Sequence, residues 1–377
     1  MEKIRVLHCL ETIGSGGVEQ LRYNISKYLD KEHFEQKIIC THAVGVLPEK
    51  MQEQGMQVIP IGRFRSPFHV ARYRRVLREI RNFNPHIVHG AVFEGITMGA
   101  IAGKIARVPG IVIEETSDPV DRSRKGHFLM RMLCLLSDRV VAESAAGADY
   151  LRSRIKLEEP KLQTIINGVD FPVYPGEEAT RSLKSRLGIA PGDFVVGSVG
   201  RLLDSHKRFS DLIRAAALLK QKGIPVKLLI VGDGPDLDML NDLCIALGVR
   251  EDVFFVGYQG NTAPYFACMD LFALASQMEA FGLVLVDAML FKLPVVATSV
   301  GGIKYVVADG KTGILVDKNA PDLLAGAIGT LFYDEGKRKM LGDAGYQRAM
   351  QEFTAPVYVR NIERLYRDLL RSKGILL

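Results

Sequence analysis

The 377-residue chain has no tryptophan, five cysteines and no Cys-x-x-Cys pair. Cys9, Cys40, Cys134, Cys244 and Cys268 are odd in number, and the closest two lie 24 residues apart. That spacing argues against the disulfide framework of a small secreted domain, and it leaves a structural zinc site without evident ligands. Long apolar runs are also missing. The stretch from Val284 to Val300 is broken by Asp287 and Lys292, short of the roughly 18 apolar residues that a membrane-spanning helix needs. No repeat or low-complexity tract is evident. The start, Met1-Glu2-Lys3-Ile4, runs into a strand pattern rather than a secretory signal, so a cytoplasmic location is the expectation. With 47% hydrophobic and 24% charged residues the bulk of the chain is globular, and its length suits two or three domains.

Acidic residues are scarce in one place. Residues 1–168 carry 25 Lys+Arg against 19 Asp+Glu, whereas 169–377 are balanced at 24 each, so the net +6 is entirely N-terminal. Arg63, Arg65, Arg72, Arg74, Arg75, Arg78 and Arg81 face only Glu79 in their segment, which accounts for the surplus. Such a segment suits an anionic membrane surface or an acidic acceptor, or is a plain solvated face; no nucleic-acid partner is expected.

What is present is alternation. Short β-branched runs, beginning with Ile4-Arg5-Val6-Leu7, alternate with helical patterns at 17–29, 46–54 and 69–83, and Ile87-Val88-His89, Ile111-Val112-Ile113 and Arg139-Val140-Val141 continue the series. Strand then helix, repeated, is the pattern of a parallel sheet covered on both faces. Asn167-Gly168-Val169-Asp170-Phe171-Pro172 interrupts it, and a second series begins at Phe194-Val195-Val196-Gly197. The expected architecture is α/β, with two facing doubly wound Rossmann-like domains and an interdomain cleft at the carboxyl ends of their strands. The first domain is placed at 1–168 and the second at 169–354, with the last helical stretch, within 355–377, returning to the first.

Three places carry chemistry. After the first strand, expected to end at Leu10, Gly14-Ser15-Gly16-Gly17-Val18-Glu19 leads into a helix, where backbone N–H groups can meet a phosphate, although a merely structural tight turn has the same composition. The dinucleotide fingerprint fails both from Gly14, where the sixth residue is Glu19, and from Gly232, where it is Leu237, which disfavours a nicotinamide dehydrogenase. In the second half, Gly200-Arg201 closes a strand and Lys207 follows six residues on, a guanidinium fork and a point charge suited to a pyrophosphate; alone they are equally two surface cations. In Ser276-Gln277-Met278-Glu279-Ala280-Phe281-Gly282-Leu283-Val284 the turn at Gly282 opens a helix whose first N–H groups, at Gly282, Leu283 and Val284, form an anion site. Glu279 stands before that helix and Asp287 within it, two acceptors that the hydroxyls of a sugar nucleotide would satisfy. His89, at the end of Ile87-Val88-His89, is the histidine best placed to see the cleft, and His206, beside Lys207, is the next, each equally an ordinary strand-end or surface residue. Asp233, Asp236 and Asp238 are better explained by helix capping than by a metal.

On these residues the chain resembles the retaining nucleotide-sugar glycosyltransferases of the GT-B fold, family four. Gly16-Gly17-Val18-Glu19 resembles the family's two-glycine turn, Asn167-Gly168-Val169-Asp170 its linker, Arg201 and Lys207 its diphosphate-binding pair, Val231 to Pro235 its Val-Gly-x-Gly-Pro strand end, and Glu279 to Asp287 its paired carboxylates. The resemblance implies that Glu279 meets the donor sugar and Asp287 the ribose, that Tyr258 lies near the nucleobase, that Gly16 and Gly17 serve donor binding, and that no metal or cofactor is required. Asp287 is one methylene shorter than the family's glutamate. The family's histidine after the fifth strand is absent from Ile113-Glu114-Glu115-Thr116-Ser117-Asp118, leaving Glu115, Asp118 and His89 as acceptor-side candidates. The activity so implied is transfer from a nucleoside-diphosphate sugar, such as a UDP-sugar, to a hydroxyl of a saccharide or lipid-linked acceptor in polysaccharide or glycolipid synthesis. The alternatives are a nucleotide-sugar epimerase and a non-catalytic nucleotide-binding scaffold.

Overall fold

The computed structural model describes residues 2–14, 16–63, 69–116 and 122–375. They form two compact units, Met1–Asp170 with Thr354–Leu377, and Phe171–Phe353. In the first unit, β1 (Ile4–Ile13), β2 (Phe34–Ala43), β3 (Gln57–Pro60), β4 (Ile87–Ala91), β5 (Gly110–Glu115), β6 (Arg139–Ala142) and β7 (Leu162–Thr164) make a parallel sheet in the order β3-β2-β1-β4-β5-β6-β7. In the second, β8 (Phe194–Val199), β9 (Val226–Val231), β10 (Val253–Phe255), β11 (Leu271–Leu274), β12 (Val295–Thr298) and β13 (Gly313–Val316) run in parallel as β10-β9-β8-β11-β12-β13. Strand order reverses between β1 and β4 and again between β8 and β11. At such a switch point adjacent loops diverge and ligands of open α/β sheets bind.

Strand alternation explains how both sheet faces become core. Leu7 and Cys9 of β1 join Tyr73, Val76 and Met98 from the helices Val70–Phe83 and Val92–Ile105, whereas Leu10 joins Ile38, Leu47 and Met51 in a different cluster. In the second unit a large cluster packs Phe209, Leu212 and Ile213 of the helix Phe209–Gln221 against Leu228 and Ile230 of β9. Among the described residues no helix is long and apolar enough to cross a membrane.

Three details differ from the sequence expectation. β1 continues past Leu10 because Thr12 and Ile13 keep their register with His42 and Ala43. β7 was not anticipated, being only Leu-Gln-Thr and held at the edge by pairing with β6. The first unit ends at Asp170 rather than Gly168, because the Asp170 carboxylate accepts from Lys27 Nζ at 2.6 Å and from the Tyr28 hydroxyl. The chain returns where Ala355 N donates to Val169 O at 2.8 Å, and the helix Ala355–Ser372 then packs on the helix Gly17–Tyr28.

Candidate functional site

The switch point of the second sheet brings two expected residues together. Lys207 follows β8 and Glu279 follows β11, neighbouring strands on which Leu271 pairs with Val196, and the Lys207 ammonium donates to the Glu279 carboxylate. Both side chains are partly shielded. Lys207 ends the short helix Asp204–Lys207, and Arg208 then takes a left-handed conformation, φ +51°, before the helix Phe209–Gln221 begins. A non-glycine residue is strained there. Arg208 offsets the strain through two bonds to Asp211, Nε–Oδ2 at 3.0 Å and Nη2–Oδ1 at 2.8 Å. Asp204 adds a second brace, accepting from Ser210 N at 2.8 Å and Ser210 Oγ at 2.7 Å. The aim of Lys207 is therefore set by an ionic turn.

The loop bearing Glu279 is held by groups that sequence reasoning did not single out. Gln277 N donates to His206 O at 2.7 Å, Thr298 Oγ1 to Ser276 O at 2.7 Å, and Gly302 N to Glu279 O at 2.8 Å. Any side chain at Gly302 would sit 2.1 Å from Ala280 O, so the loop can approach only glycine there. The adjacent glycines of Val300-Gly301-Gly302 just after β12 were the available signal. Gly282 has φ +96° and heads the helix Leu283–Leu290, with Phe281 buried edge-on against Phe353 at 5.9 Å between ring centroids. Leu283 and Val284 occupy the first turn, whose N–H groups lack intrahelical partners.

Asp287 lies in the same helix. Its carboxyl has no hydrogen-bond or ionic partner among the described residues. Although part of its surface stays open, desolvation by the surrounding protein pushes it up to about 7. A carboxyl left unsatisfied in such surroundings is a ready acceptor for ligand hydroxyls. Arg201 is exposed at the end of β8, also without an ionic partner among the described residues. Its loop is tied to that after β9, with Leu202 N on Asp233 O at 2.9 Å and Asp204 N on Asp236 Oδ2 at 2.6 Å, so Asp236 serves as a backbone acceptor. Gly232 N donates to Gly257 O at 2.9 Å, which sets Tyr258 beside the β9 loop with 63% of its surface exposed.

The remaining candidates belong to the first unit. Gly16 and Gly17 begin the helix Gly17–Tyr28, and Glu19 folds back over them, accepting from Thr12 Oγ1 at 3.0 Å. The helix start thus faces a carboxylate of its own chain. His89 is wholly buried rather than open to an acceptor. Its Nδ1 lies 2.7 Å from the Tyr366 hydroxyl and its Nε2 3.4 Å from Glu114, and desolvation, then the Arg22 charge, lowers it to about 4. Arg22 and Glu114 form a fully buried ion pair, with Arg22 Nη1 also 3.3 Å from the Tyr358 hydroxyl. The Arg22 charge, then hydrogen bonding from His89, holds Glu114 below the usual carboxylate range despite its burial. Glu115 is likewise covered, because β5 extends through it. Its two oxygens accept from Arg122 Nη1 at 2.7 Å and Nη2 at 3.2 Å. Asp118 lies outside the described residues.

Two carboxyls near the carboxyl ends of β1 and β4, Glu11 and Glu94, were not anticipated. Burial, then the Glu94 carboxyl beside it, pushes Glu11 above its ordinary value. Of the arginine segment, Arg72 and Arg75 donate to Ile61 O at 2.5 and 3.0 Å, Arg74, Arg78 and Arg81 are exposed, and Arg65 lies outside the described residues. Among the described residues, Asp30, Glu32 and His33 bring ligand atoms within 4.8 Å of one another, but Asp30 already accepts from His33 Nδ1 at 2.6 Å and Glu32 N at 2.9 Å.

Comparison with known proteins bears on family and fold. Residues 180–348 match the model of glycosyl transferases group 1, and residues 15–171 match that of glycosyltransferase family 4. The chain is 32% identical over 236 residues to the N-acetyl-alpha-D-glucosaminyl L-malate synthase of Bacillus anthracis, which is 63% of this chain and 61% of that protein. It is 31% identical over 247 residues to the D-inositol 3-phosphate glycosyltransferase of Rhodococcus erythropolis, 63% of this chain and 55% of that one. The match thus spans less than two thirds of either relative. Among solved structures, Anabaena HepE in complex with UDP and glucose superposes with a TM-score of 0.85 at 23% identity, covering 97% of this chain and 99% of that one. At that identity the likeness concerns the fold, two Rossmann-like parallel-sheet units of the GT-B class.

Proposed function

The chain belongs to the glycosyltransferases of group 1 and family 4, and from that premise we propose that it moves a hexose-like sugar from a nucleoside diphosphate to an acceptor hydroxyl with retention at the anomeric carbon. The observation that carries this reading is the convergence of Lys207 and Glu279 at the switch point of the second sheet. The second unit holds the donor. Lys207, Arg201 and the helix start at Leu283 and Val284 offset charge growing on the departing diphosphate, work that in other enzymes falls to a divalent ion. Asp287 accepts from the ribose and Tyr258 lies against the base. UDP is the first nucleotide to try, because HepE was crystallised with it.

The bond from the anomeric carbon to the diphosphate oxygen breaks through an oxocarbenium-like transition state, and the acceptor oxygen bonds to the same carbon. A departing phosphate oxygen takes the acceptor proton, so no side-chain nucleophile is needed. Glu279 orients the sugar, and a bound diphosphate competes with it for Lys207, which couples donor arrival to release of the resting ion pair. The first unit takes the acceptor, a saccharide or lipid-linked hydroxyl, with Arg74, Arg78 and Arg81 turned toward an anionic surface on the cytoplasmic side.

The test is incubation with a panel of nucleotide sugars and hydroxyl acceptors, followed by NMR of the product. A new glycoside whose anomeric configuration matches the donor is expected. Donor altered without any acceptor would replace this reading with epimerisation. Nucleoside diphosphate bound with no turnover on a broad panel would reduce the protein to a scaffold.

A further inference from the structure

The helix Arg124–Leu136 carries two features that no contact among the described residues explains. Its outer side exposes Phe128 (68%), Met132 (42%) and Leu135 (62%), spaced i, i+4, i+7 and therefore a single stripe. Its inner side, Met130, Leu133 and Cys134, is fully used in the core. Arg124 and Lys125 also occupy its first turn, where the helix dipole disfavours cations, and the helix contains no acidic residue. Arg131 is exposed along the stripe, and Lys161 Nζ lies over the far end, 3.3 Å from Leu135 O and 2.9 Å from Ser137 O. An exposed apolar stripe flanked by Arg124, Lys125 and Arg131, which have no ionic partner among the described residues, has the composition of an interfacial helix rather than of a plainly solvated face.

The surroundings continue the pattern. The helix Val92–Ile105 packs on Arg124–Leu136 through Ile96 and Ala100, and on Val70–Phe83 through Met98 and Ala102, so the three helices form one layer over the sheet. That layer exposes Arg74, Arg78, Arg81, Lys104, Ile105 and Arg107. Its acidic residues, Glu79 and Glu94, are both partly buried.

We propose that the stripe Phe128–Met132–Leu135 inserts into the interfacial region of a bilayer containing anionic phospholipid, with Arg124, Lys125 and Arg131 at the headgroups. Charge complementarity selects this occupant over a neutral apolar one. The inference builds on the surface reading of Arg74, Arg78 and Arg81 by naming the side chains that enter the lipid. It holds whether or not sugar transfer is the reaction.

The chain lacks tryptophan, so Phe128→Trp in the full chain supplies a sole emitter at the stripe. Its emission is expected to shift to the blue on vesicles containing phosphatidylglycerol and to stay unchanged on pure phosphatidylcholine. Combined Arg124→Gln, Lys125→Gln and Arg131→Gln should lower vesicle partition about 100-fold, from roughly 1 kcal/mol for each basic residue near the surface. Phe128→Asp, at a position exposed in the fold, should lower it at least about tenfold while circular dichroism stays unchanged. Vesicles that sediment the protein without moving the emission would overturn the insertion and leave the arginine reading standing. Absence of sedimentation at low salt would end both. A lipid-free dimer abolished by Phe128→Asp would instead assign the stripe to a second copy.

Discussion

Replacing Asp287 by asparagine removes a charge from a place that resists it. The carboxyl is pushed from 3.8 to about 7 by desolvation, with no partner among the described residues to offset it. Some three units at about 1.4 kcal/mol each set a ceiling on the order of 4 kcal/mol on the cost of ionising it in the fold. Its partly open surface and local relaxation reduce this to about 1–3 kcal/mol. The sign follows from linkage. Below about pH 4 the group is protonated folded and unfolded, and nothing is lost. Between about 4 and 7 the unfolded chain has released the proton that the fold retains, so stability falls as pH rises and levels off above about 7. Asp287→Asn should therefore match the wild type near pH 4.5 and gain on it through neutral pH. At about 2–4 °C for each kcal/mol in a unit of this size, the apparent melting temperature at pH 8 should rise by about 2–12 °C. The assay is a thermal-unfolding series from pH 4.5 to 8, scored as the difference between variants so that titrations elsewhere cancel. A difference that stays flat with pH would refute the desolvation argument. The same variant should bind nucleoside diphosphate more weakly, because an amide keeps only one acceptor oxygen, weaker than a carboxylate's, and its NH2 cannot accept from a ribose hydroxyl.

Other consequences are equally direct. Lys207→Ala and Arg201→Ala should each lower turnover by about 10² to 10³ while leaving the circular dichroism spectrum intact, and wild-type turnover in both would remove their assignment. Gly302→Val should displace the Glu279 loop by driving a side chain into Ala280 O, lowering kcat far more than melting temperature; an active variant would mean that the loop position is not critical. Glu114→Gln leaves the buried Arg22 uncompensated and should cost about 3–5 kcal/mol in the first unit, whereas Arg22→Met with Glu114→Leu should cost less. Equal losses, read by urea unfolding, would contradict a desolvation penalty.

Much of the scaffold was legible because buried parallel strands are short β-branched runs between helices, and most of those runs form strands at or near their expected places. β7 escaped because three residues, two of them polar, carry no periodicity. Of the candidate site, the placing of Lys207 and Glu279 after strand ends and of Asp287 within the next helix was readable from the sequence. The supports Thr298, Gly302 and Asp236 were not, since their roles are contacts across loops far apart in sequence. His89 misled for a physical reason. The run Ile87-Val88-His89 suggests a strand end, but β4 continues to Ala91, so His89 stands in mid-strand with its ring against Tyr366 of the returning helix and against Glu114. Glu115 misled likewise, paired inward with Arg122.

The most direct measurement is calorimetric titration of the full chain with uridine, UMP and UDP, repeated on Lys207→Ala. If the second unit grips a diphosphate through that cation, affinity should climb from nucleoside to diphosphate, and the step from UMP to UDP should largely vanish in the variant. Uridine binding as tightly as UDP, or a variant that keeps the full diphosphate preference, would contradict the assignment of Lys207 to the diphosphate.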